Sequence, residues 1–305
     1  MTQDILNLSL EELQNYFKTI QEPAFRAGQI FEWIYKKDAA SFEAMSNLSK
    51  ELRTKLKDTF TFELPEVVDT AKSSDGTCKY LFDMKDHEKV ESVIIPTKDR
   101  ATACISTQVG CKFGCRFCAS GVAGWKRNLS VGEILAQVLY VKKHAPKAAP
   151  LTHIVFMGIG EPLDNYENLT KAIDLINGPQ GIQLGPRKIT ISTSGVVPRI
   201  LQLAKEDVQL ELAVSLHGYD NESRNVLMPV NKKYPIEVLM EACREYQKNK
   251  KRLITFEYIL INGVTLTPQA PRMLKKLFKG LLCKMNLIPY NPVAEYAQHQ
   301  CPSQE

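Results

Sequence analysis

Residues 111–118 read Cys-Lys-Phe-Gly-Cys-Arg-Phe-Cys, a CxxxCxxC spacing set just behind the apolar run at 101–107. Three thiolates can hold three irons of a cubane, and a four-iron cluster takes four ligands, so one iron would stay open to a substrate. A structural zinc normally adds a fourth Cys or His at short range. None follows Cys118, the nearest downstream histidine being His144 on a predicted helix. Buried, unreactive cysteines are the plainer alternative.

Outward from that motif, strands and helices alternate. Strand candidates run over 101–107, 152–157, 188–193, 211–215, 253–261 and 284–288. Between them Ser130 and Glu133 form a capping box that opens a helix, and helical periodicity runs over 166–177 and 236–250. Such alternation makes an α/β fold, a parallel sheet with right-handed crossovers and helices outside. Six strands make a partial (β/α)6 barrel rather than a closed eight-fold one, with the working loops at the carboxyl ends of the strands. The cysteine motif follows the first strand, as this arrangement demands.

The other strand ends then line the same site. After the second strand, Gly158-Ile159-Gly160-Glu161-Pro162 offers glycines that let backbone approach a ligand, and a carboxylate able to accept from an ammonium group. The third ends Ser192-Thr193-Ser194-Gly195 and the fourth Ser215-Leu216-His217-Gly218, with hydroxyl, backbone and imidazole partners for ribose and carboxylate groups. A lone histidine is more often structural, but the place of His217 behind a strand argues for the site. The sixth ends Pro289-Tyr290-Asn291-Pro292, where the Asn291 amide can both donate and accept; a plain turn is the alternative.

The first hundred residues differ from the rest. Ser9 and Glu12 make a capping box before a helix reaching about residue 20, Phe25, Ile30, Phe31, Ile34 and Tyr35 repeat at helical spacing, and a third helix runs over 49–57. Segments 80–83 and 90–95 read as short strands. The expected organisation is a small N-terminal helical accessory domain over 1–72, a short-strand connecting segment over 73–98, and the barrel over 99–305. Lys36, Lys37, Lys50, Arg53, Lys55 and Lys57 give the helices a basic face that reads first as solvated.

Composition sets the limits. A chain of 305 residues with 44% hydrophobic content buries one sizeable core and a small second module. Its net charge of +5 permits nucleic-acid binding without requiring it. Residues 101–132 hold no Asp or Glu but carry Lys112, Arg116, Lys126 and Arg127, and 258–294 are likewise acid-free with Arg272, Lys275, Lys276, Lys279 and Lys284. Such basic rims suit phosphate contact, with a solvated helix face as the alternative for Lys275, Lys276 and Lys279. No apolar run reaches the ~18 residues of a membrane span, and the N-terminus has no signal-like pattern, so a soluble cytoplasmic protein is expected. Cysteines at 104–118 in such a chain point to metal or redox chemistry rather than a disulfide framework.

Taken in order, Phe25-Arg26-Ala27 with Trp33-Ile34-Tyr35, Asp75-Gly76-Thr77, Arg100-Ala101-Thr102 leading to Cys104, the run from Ser106 to Cys118, Gly158 to Pro162, Ser192 to Pro198, Ser215 to His217 and Asn286 to Pro292 carry a resemblance. The chain resembles the radical S-adenosylmethionine superfamily and, within it, the RlmN/Cfr family of RNA methyltransferases, along nearly its whole length. The resemblance implies a 4Fe-4S cluster on Cys111, Cys115 and Cys118, with S-adenosyl-L-methionine held by Gly160, Glu161, Ser192, Ser215, Leu216, His217 and Asn291. It implies Glu91 as the proton acceptor, although by itself Glu91 reads as a solvated strand residue. Cys104 would be the resolving thiol that forms a disulfide, although it could equally be a core cysteine. The reaction implied is methylation of carbon 2 of an adenine in rRNA and tRNA by way of a methyl-cysteine, in a monomer served by a flavodoxin-type electron donor. Carbon 2 is electron-poor and has no nucleophilic lone pair for ordinary methyl transfer, which a radical route circumvents.

One departure stands out. The family's methyl-carrying cysteine lies in a Cys-Gly-Gln-Leu segment beyond the last strand, and the sequence runs to Glu305 without it; Cys301, in an unmatched context, is the only thiol after the sixth strand. The expectation is therefore a fragment or truncated product that binds cluster and cofactor without methylating RNA. Rival readings are the related adenine carbon-8 methyltransferase and a non-catalytic, cluster-containing RNA-binding protein.

Overall fold

In the computed structural model, residues 3–296 and 298–302 are described. The contacts gather into two compact units, one made of residues up to Thr107 with Asn128–Gly158 and Glu167–Lys188, the other of Gln108–Arg127, Ile159–Tyr166 and the chain from Ile189 onward.

The first unit begins with the three expected helices, Leu10–Thr19, Phe25–Tyr35 and Lys50–Thr59. The Ser9 hydroxyl accepts from the Glu12 amide at 3.2 Å while the Ser9 amide donates to the Glu12 carboxylate at 2.6 Å, satisfying two donors that a helix start leaves open. Leu13, Phe17, Ile30, Phe31, Ile34, Leu52 and Leu56 bury one face of each helix, each side chain contributing about 1.5–3 kcal/mol. The basic face of these helices is largely paired within itself, Lys37 with Glu32 at 3.0 Å, Lys55 with Glu22 at 3.7 Å and Lys57 with Glu43.

Four antiparallel strands follow in order, Glu66–Lys72, Cys78–Asp83, Lys89–Pro96 and Ala101–Cys104, and Leu151–Phe156 adds in parallel to the last. The second and third extend the short strands predicted at 80–83 and 90–95. Glu66–Lys72 lies within the region read as helical and was not anticipated: at the edge of the sheet it is exposed almost throughout, so no apolar alternation marks it. Helix Val131–His144 opens on the predicted capping box of Ser130 and Glu133. Its buried Gln137 side chain accepts from the Ser92 hydroxyl at 2.7 Å and the Ser106 amide at 3.0 Å, and donates to the Ser106 carbonyl at 3.2 Å, tying helix to sheet through polar groups fully withdrawn from water.

In the second unit Ile189–Thr193, Glu211–Ser215, Ile254–Leu260 and Cys283–Pro289 run parallel, each paired with the next. With Ala101–Cys104 and Leu151–Phe156 they are the six strands that the alternation predicts, and helices Tyr166–Asn177 and Ile236–Lys250 span the predicted ranges. Ile191, Leu212, Val214, Phe256, Leu239 and Tyr246 fill the core between strands and helices. Register sets Thr193 beside Val214, Ser215 beside Glu257, and Glu257 beside Asn286, which brings successive strand ends to one edge of this sheet.

Candidate functional site

The cysteine loop belongs to the second unit, where its backbone is pinned at several points. The Cys111 amide donates to the Gly124 carbonyl at 2.9 Å, the Arg116 amide to the Leu227 carbonyl at 2.8 Å, and the Cys118 amide to the Cys115 carbonyl at 3.2 Å. Gly110 has φ +70°, and a Cβ there would stand 1.7 Å from the Gly124 carbonyl oxygen, so the loop closes only over a glycine. Phe113, Cys115 and Phe117 pack on an apolar floor of Leu227, Met228, Val230, Ile259, Ile261 and Tyr290.

The thiols sense one another. Burial pushes Cys111 up to about 11, with the Glu161 carboxylate and the Cys118 thiol adding to the shift. Burial, then Cys111 and Cys118, push Cys115 up further. Thiols in this state stay protonated at neutral pH unless a cation binds them, since metal coordination deprotonates sulfur outright. Among the described residues no three His, Cys, Asp or Glu side chains are grouped to hold one ion. A cubane asks for no such convergence, because each thiolate takes a different iron. Three thiols on one short loop, with Cys115 over an apolar floor, fit a cluster better than a lone zinc, and His144, whose Nδ1–H donates to the Tyr140 carbonyl at 2.8 Å and whose ring stacks on Tyr140 at 4.0 Å, is engaged on its own helix.

The turn after the second strand is held by Gln108, which sequence reasoning missed. Its fully buried side chain accepts from the Glu161 amide at 2.8 Å and donates to Asp164 at 2.9 Å. Gly160, at φ +108°, fits because a Cβ would meet the Gln108 Cβ at 2.6 Å. Glu161 is buried, and its carboxylate accepts from the Leu163 amide at 3.1 Å and the Ser194 amide at 2.6 Å. Burial raises its pKa, and those bonds oppose the rise. The carboxylate thus joins the second strand-end turn to the third.

Ser192 is half-buried on Ile189–Thr193, and the Thr193 hydroxyl accepts from the Gly195 and Val196 amides at 3.1 and 3.3 Å. Leu216 and His217 both donate their amides to the Glu257 carbonyl, at 3.0 and 3.3 Å. His217 takes the left-handed conformation, φ +45°, and its Nδ1 accepts from the Ile259 amide at 2.9 Å. In the neutral ring the proton therefore sits on Nε2. Burial, helped by the Arg224 charge, lowers the imidazole to about 3, and the edge of the ring meets Phe117 of the cysteine loop at 4.6 Å. Asn291 is exposed just past the strand Cys283–Pro289.

Arg224 is the second residue sequence reasoning missed. Its guanidinium is fully buried and donates from Nε to the Leu216 carbonyl at 2.9 Å, from Nη1 to Asn231 at 2.8 Å, and from Nη2 to the Ser194 carbonyl at 2.6 Å and the Ser215 carbonyl at 3.4 Å. Burial lowers it to about 10, still cationic at neutral pH. One planar fork therefore fixes the third and fourth strand-end loops together. Nothing local marks it: an arginine in the short helix Asn221–Leu227 looks like any surface cation.

Glu91 and Cys104 belong to the first unit, on neighbouring antiparallel strands with Val93 opposite Cys104, so both side chains project from one face of the sheet. Glu91 pairs with Lys79 at 2.8 Å. Burial pushes the Cys104 thiol up to about 11, opposed by a hydrogen bond from the Met157 backbone. All eight cysteines are free thiols, and exposed Cys301 points its sulfur at the Tyr290 carbonyl, 3.3 Å away. Of the basic rim, Lys112 is paired with Asp164 at 2.6 Å, an acid from outside the acid-free stretch.

The chain is similar to known proteins along nearly all of its length. Residues 3–62 match the family described as Ribosomal RNA large subunit methyltransferase N-terminal domain, and residues 105–269 match the Radical SAM superfamily. A Clostridium novyi protein described as a probable dual-specificity RNA methyltransferase RlmN is 46% identical over 293 residues, 96% of this chain and 85% of that protein. A Syntrophus aciditrophicus protein, described as a dual-specificity RNA methyltransferase RlmN, is 44% identical over 302 residues, 99% of this chain and 86% of its own. The crystal structure of a radical SAM methyltransferase from Sphaerobacter thermophilus superposes with a TM-score of 0.95 at 41% identity, covering 99% of this chain and 89% of that one.

Proposed function

We propose, for a chain that belongs to the RlmN family within the Radical SAM superfamily, that it is an RNA methyltransferase directed at carbon 2 of an adenine in ribosomal and transfer RNA. The observation that carries this reading is the loop of three thiols whose backbone is pinned to Gly124 and Leu227 and whose Phe117 meets His217, beside strand-end turns that Glu161 and Arg224 brace. In this reading Cys111, Cys115 and Cys118 hold a 4Fe-4S cluster, and Gly160, Glu161, Ser192, Ser215, Leu216, His217 and Asn291 receive S-adenosylmethionine. When bound, the cluster supplies the electron that cleaves the cofactor reductively. The chain's own residues orient and exclude water. Neutral His217 presents Nε2–H from a backbone locked to Glu257, and Phe113 and Phe117 seal the apolar floor.

Glu91 serves as the base that takes the ring proton onto its carboxylate, with Lys79 keeping that carboxylate in place beforehand. Cys104, half-buried and held in its protonated form, serves as the resolving sulfur. The segment 1–72 contributes RNA docking, the chain acts as a cytoplasmic monomer, and a flavodoxin-type protein delivers the electron. The test is anaerobic incubation of the iron-loaded protein with reductant, S-adenosylmethionine and unmodified RNA. Release of 5'-deoxyadenosine with RNA bound is expected. Absence of cleavage would overturn the reading, and 8-methyladenosine in place of 2-methyladenosine would move the target to carbon 8.

A further inference from the structure

One aromatic ring beside the cysteine loop has no part in the site described so far. Trp125, one of 2 tryptophans in the chain, begins the strand Trp125–Asn128 and is 44% exposed. Scattered exposed apolar residues need no explanation, but this one is set apart by how it is held. The carbonyl just before it, on Gly124, accepts from the Cys111 amide at 2.9 Å. A Cβ at Gly110 would stand 3.3 Å from the Trp125 Cα, so the backbone carrying the indole is clamped against the root of the cysteine loop. The Lys112 ammonium lies over the ring, 5.7 Å from its centroid, while also pairing with Asp164 at 2.6 Å. Arg116 and Lys126 are exposed nearby in sequence, within the acid-free stretch 101–132.

A half-exposed indole on a clamped backbone, with the Lys112 ammonium over it and no acid in the surrounding stretch 101–132, suits one class of ligand. Every nucleobase has a π-face that stacks on an aromatic ring regardless of sequence, and the flanking phosphates require positive charge. Bases inside a duplex have no free face, so the fit is to an unpaired nucleotide. An apolar protein surface would fit the indole but would have to strip water from the Lys112–Asp164 ion pair that lies against the ring.

We propose that Trp125 is a stacking platform for an unpaired base of the RNA substrate, with the exposed Arg116 serving the adjoining phosphates. This rests on the RNA reading above and adds to it a residue that positions the strand at the mouth of the site. The test measures dissociation constants for a fluorescently labelled stem–loop RNA with unpaired adenines, by anisotropy, on iron-loaded wild type, Trp125→Phe, Trp125→Leu and Trp125→Ala. Iron and sulfide content serve as the check that each variant is folded. Expected are losses of about tenfold for Trp125→Ala and Trp125→Leu, retention within about threefold for Trp125→Phe, and an unchanged dependence of affinity on salt, since stacking removes no phosphate contact. Alanine or leucine binding as well as wild type, while wild type binds RNA, would overturn the platform and leave the RNA reading standing. Failure of wild type to bind RNA would overturn both.

Discussion

Arg224 shows how much of the site rests on a residue that touches no reacting atom. Replacing it by lysine keeps the charge but loses the planar fork, leaving the Ser194 or Leu216 carbonyl without its partner. Each hydrogen bond to a charged group is worth about 1.5–3 kcal/mol, so Arg224→Lys should lower unfolding stability by ~2 kcal/mol. It should also weaken S-adenosylmethionine binding more than tenfold while iron content stays unchanged; urea titration and equilibrium dialysis check the two. His217 gives a prediction in pH. Its imidazole sits at about 3 in the folded protein against an ordinary 6.5, so the folded state holds it neutral where the unfolded chain would take up a proton. The sign follows: its contribution is whole above 6.5 and is lost as pH falls from there toward 3. Between about pH 7 and pH 5.5 wild type should lose on the order of 1 kcal/mol more than His217→Asn, because each pKa unit is worth about 1.4 kcal/mol. Asparagine tolerates the left-handed backbone, so the variant isolates the titration. Equal losses in the two proteins would remove His217 from the pH response.

At the level of elements, what could be read in advance was what is local. The capping boxes at Ser9–Glu12 and Ser130–Glu133 need only residues three apart, and the six parallel strands carry their own apolar runs, so both were legible. The strand Glu66–Lys72 was not, since pairing on one side with little burial leaves its composition unconstrained. Gln108 and Arg224 were not either: their importance lies in partners 53 and 30 positions away, at Glu161 and Ser194. The strand Cys283–Pro289 was placed correctly, but its exposure was not foreseen. Leu287 is 53% exposed, as is Leu282 (61%) just before the strand, which among the described residues ends its sheet and pairs only with Ile254–Leu260. An unpaired apolar edge is a template for association. Sedimentation velocity should show a monomer at low concentration and weak self-association only at high concentration, which Leu287→Lys suppresses; a wild type that stays monomeric at all concentrations would show the edge to be harmless.

For the molecule as a whole, the residues of the proposed reaction are distributed over the two compact units. The second carries the three-thiol loop, the Glu161 and Arg224 braces and the Trp125 platform, and the first carries Glu91 and Cys104 on one face of its sheet. No helix among the described residues is long and apolar enough to cross a membrane. The family matches divide the chain differently, residues 3–62 lying within the first unit and residues 105–269 running through both. The central claim is that Cys111, Cys115 and Cys118 hold a cluster with one iron left for S-adenosylmethionine. Electron paramagnetic resonance of the reduced, iron-loaded protein with and without S-adenosylmethionine tests it most directly. The account predicts a cluster signal that shifts on adding the cofactor and is lost in Cys115→Ser. A signal that the cofactor leaves unchanged, or that survives Cys115→Ser intact, would contradict it.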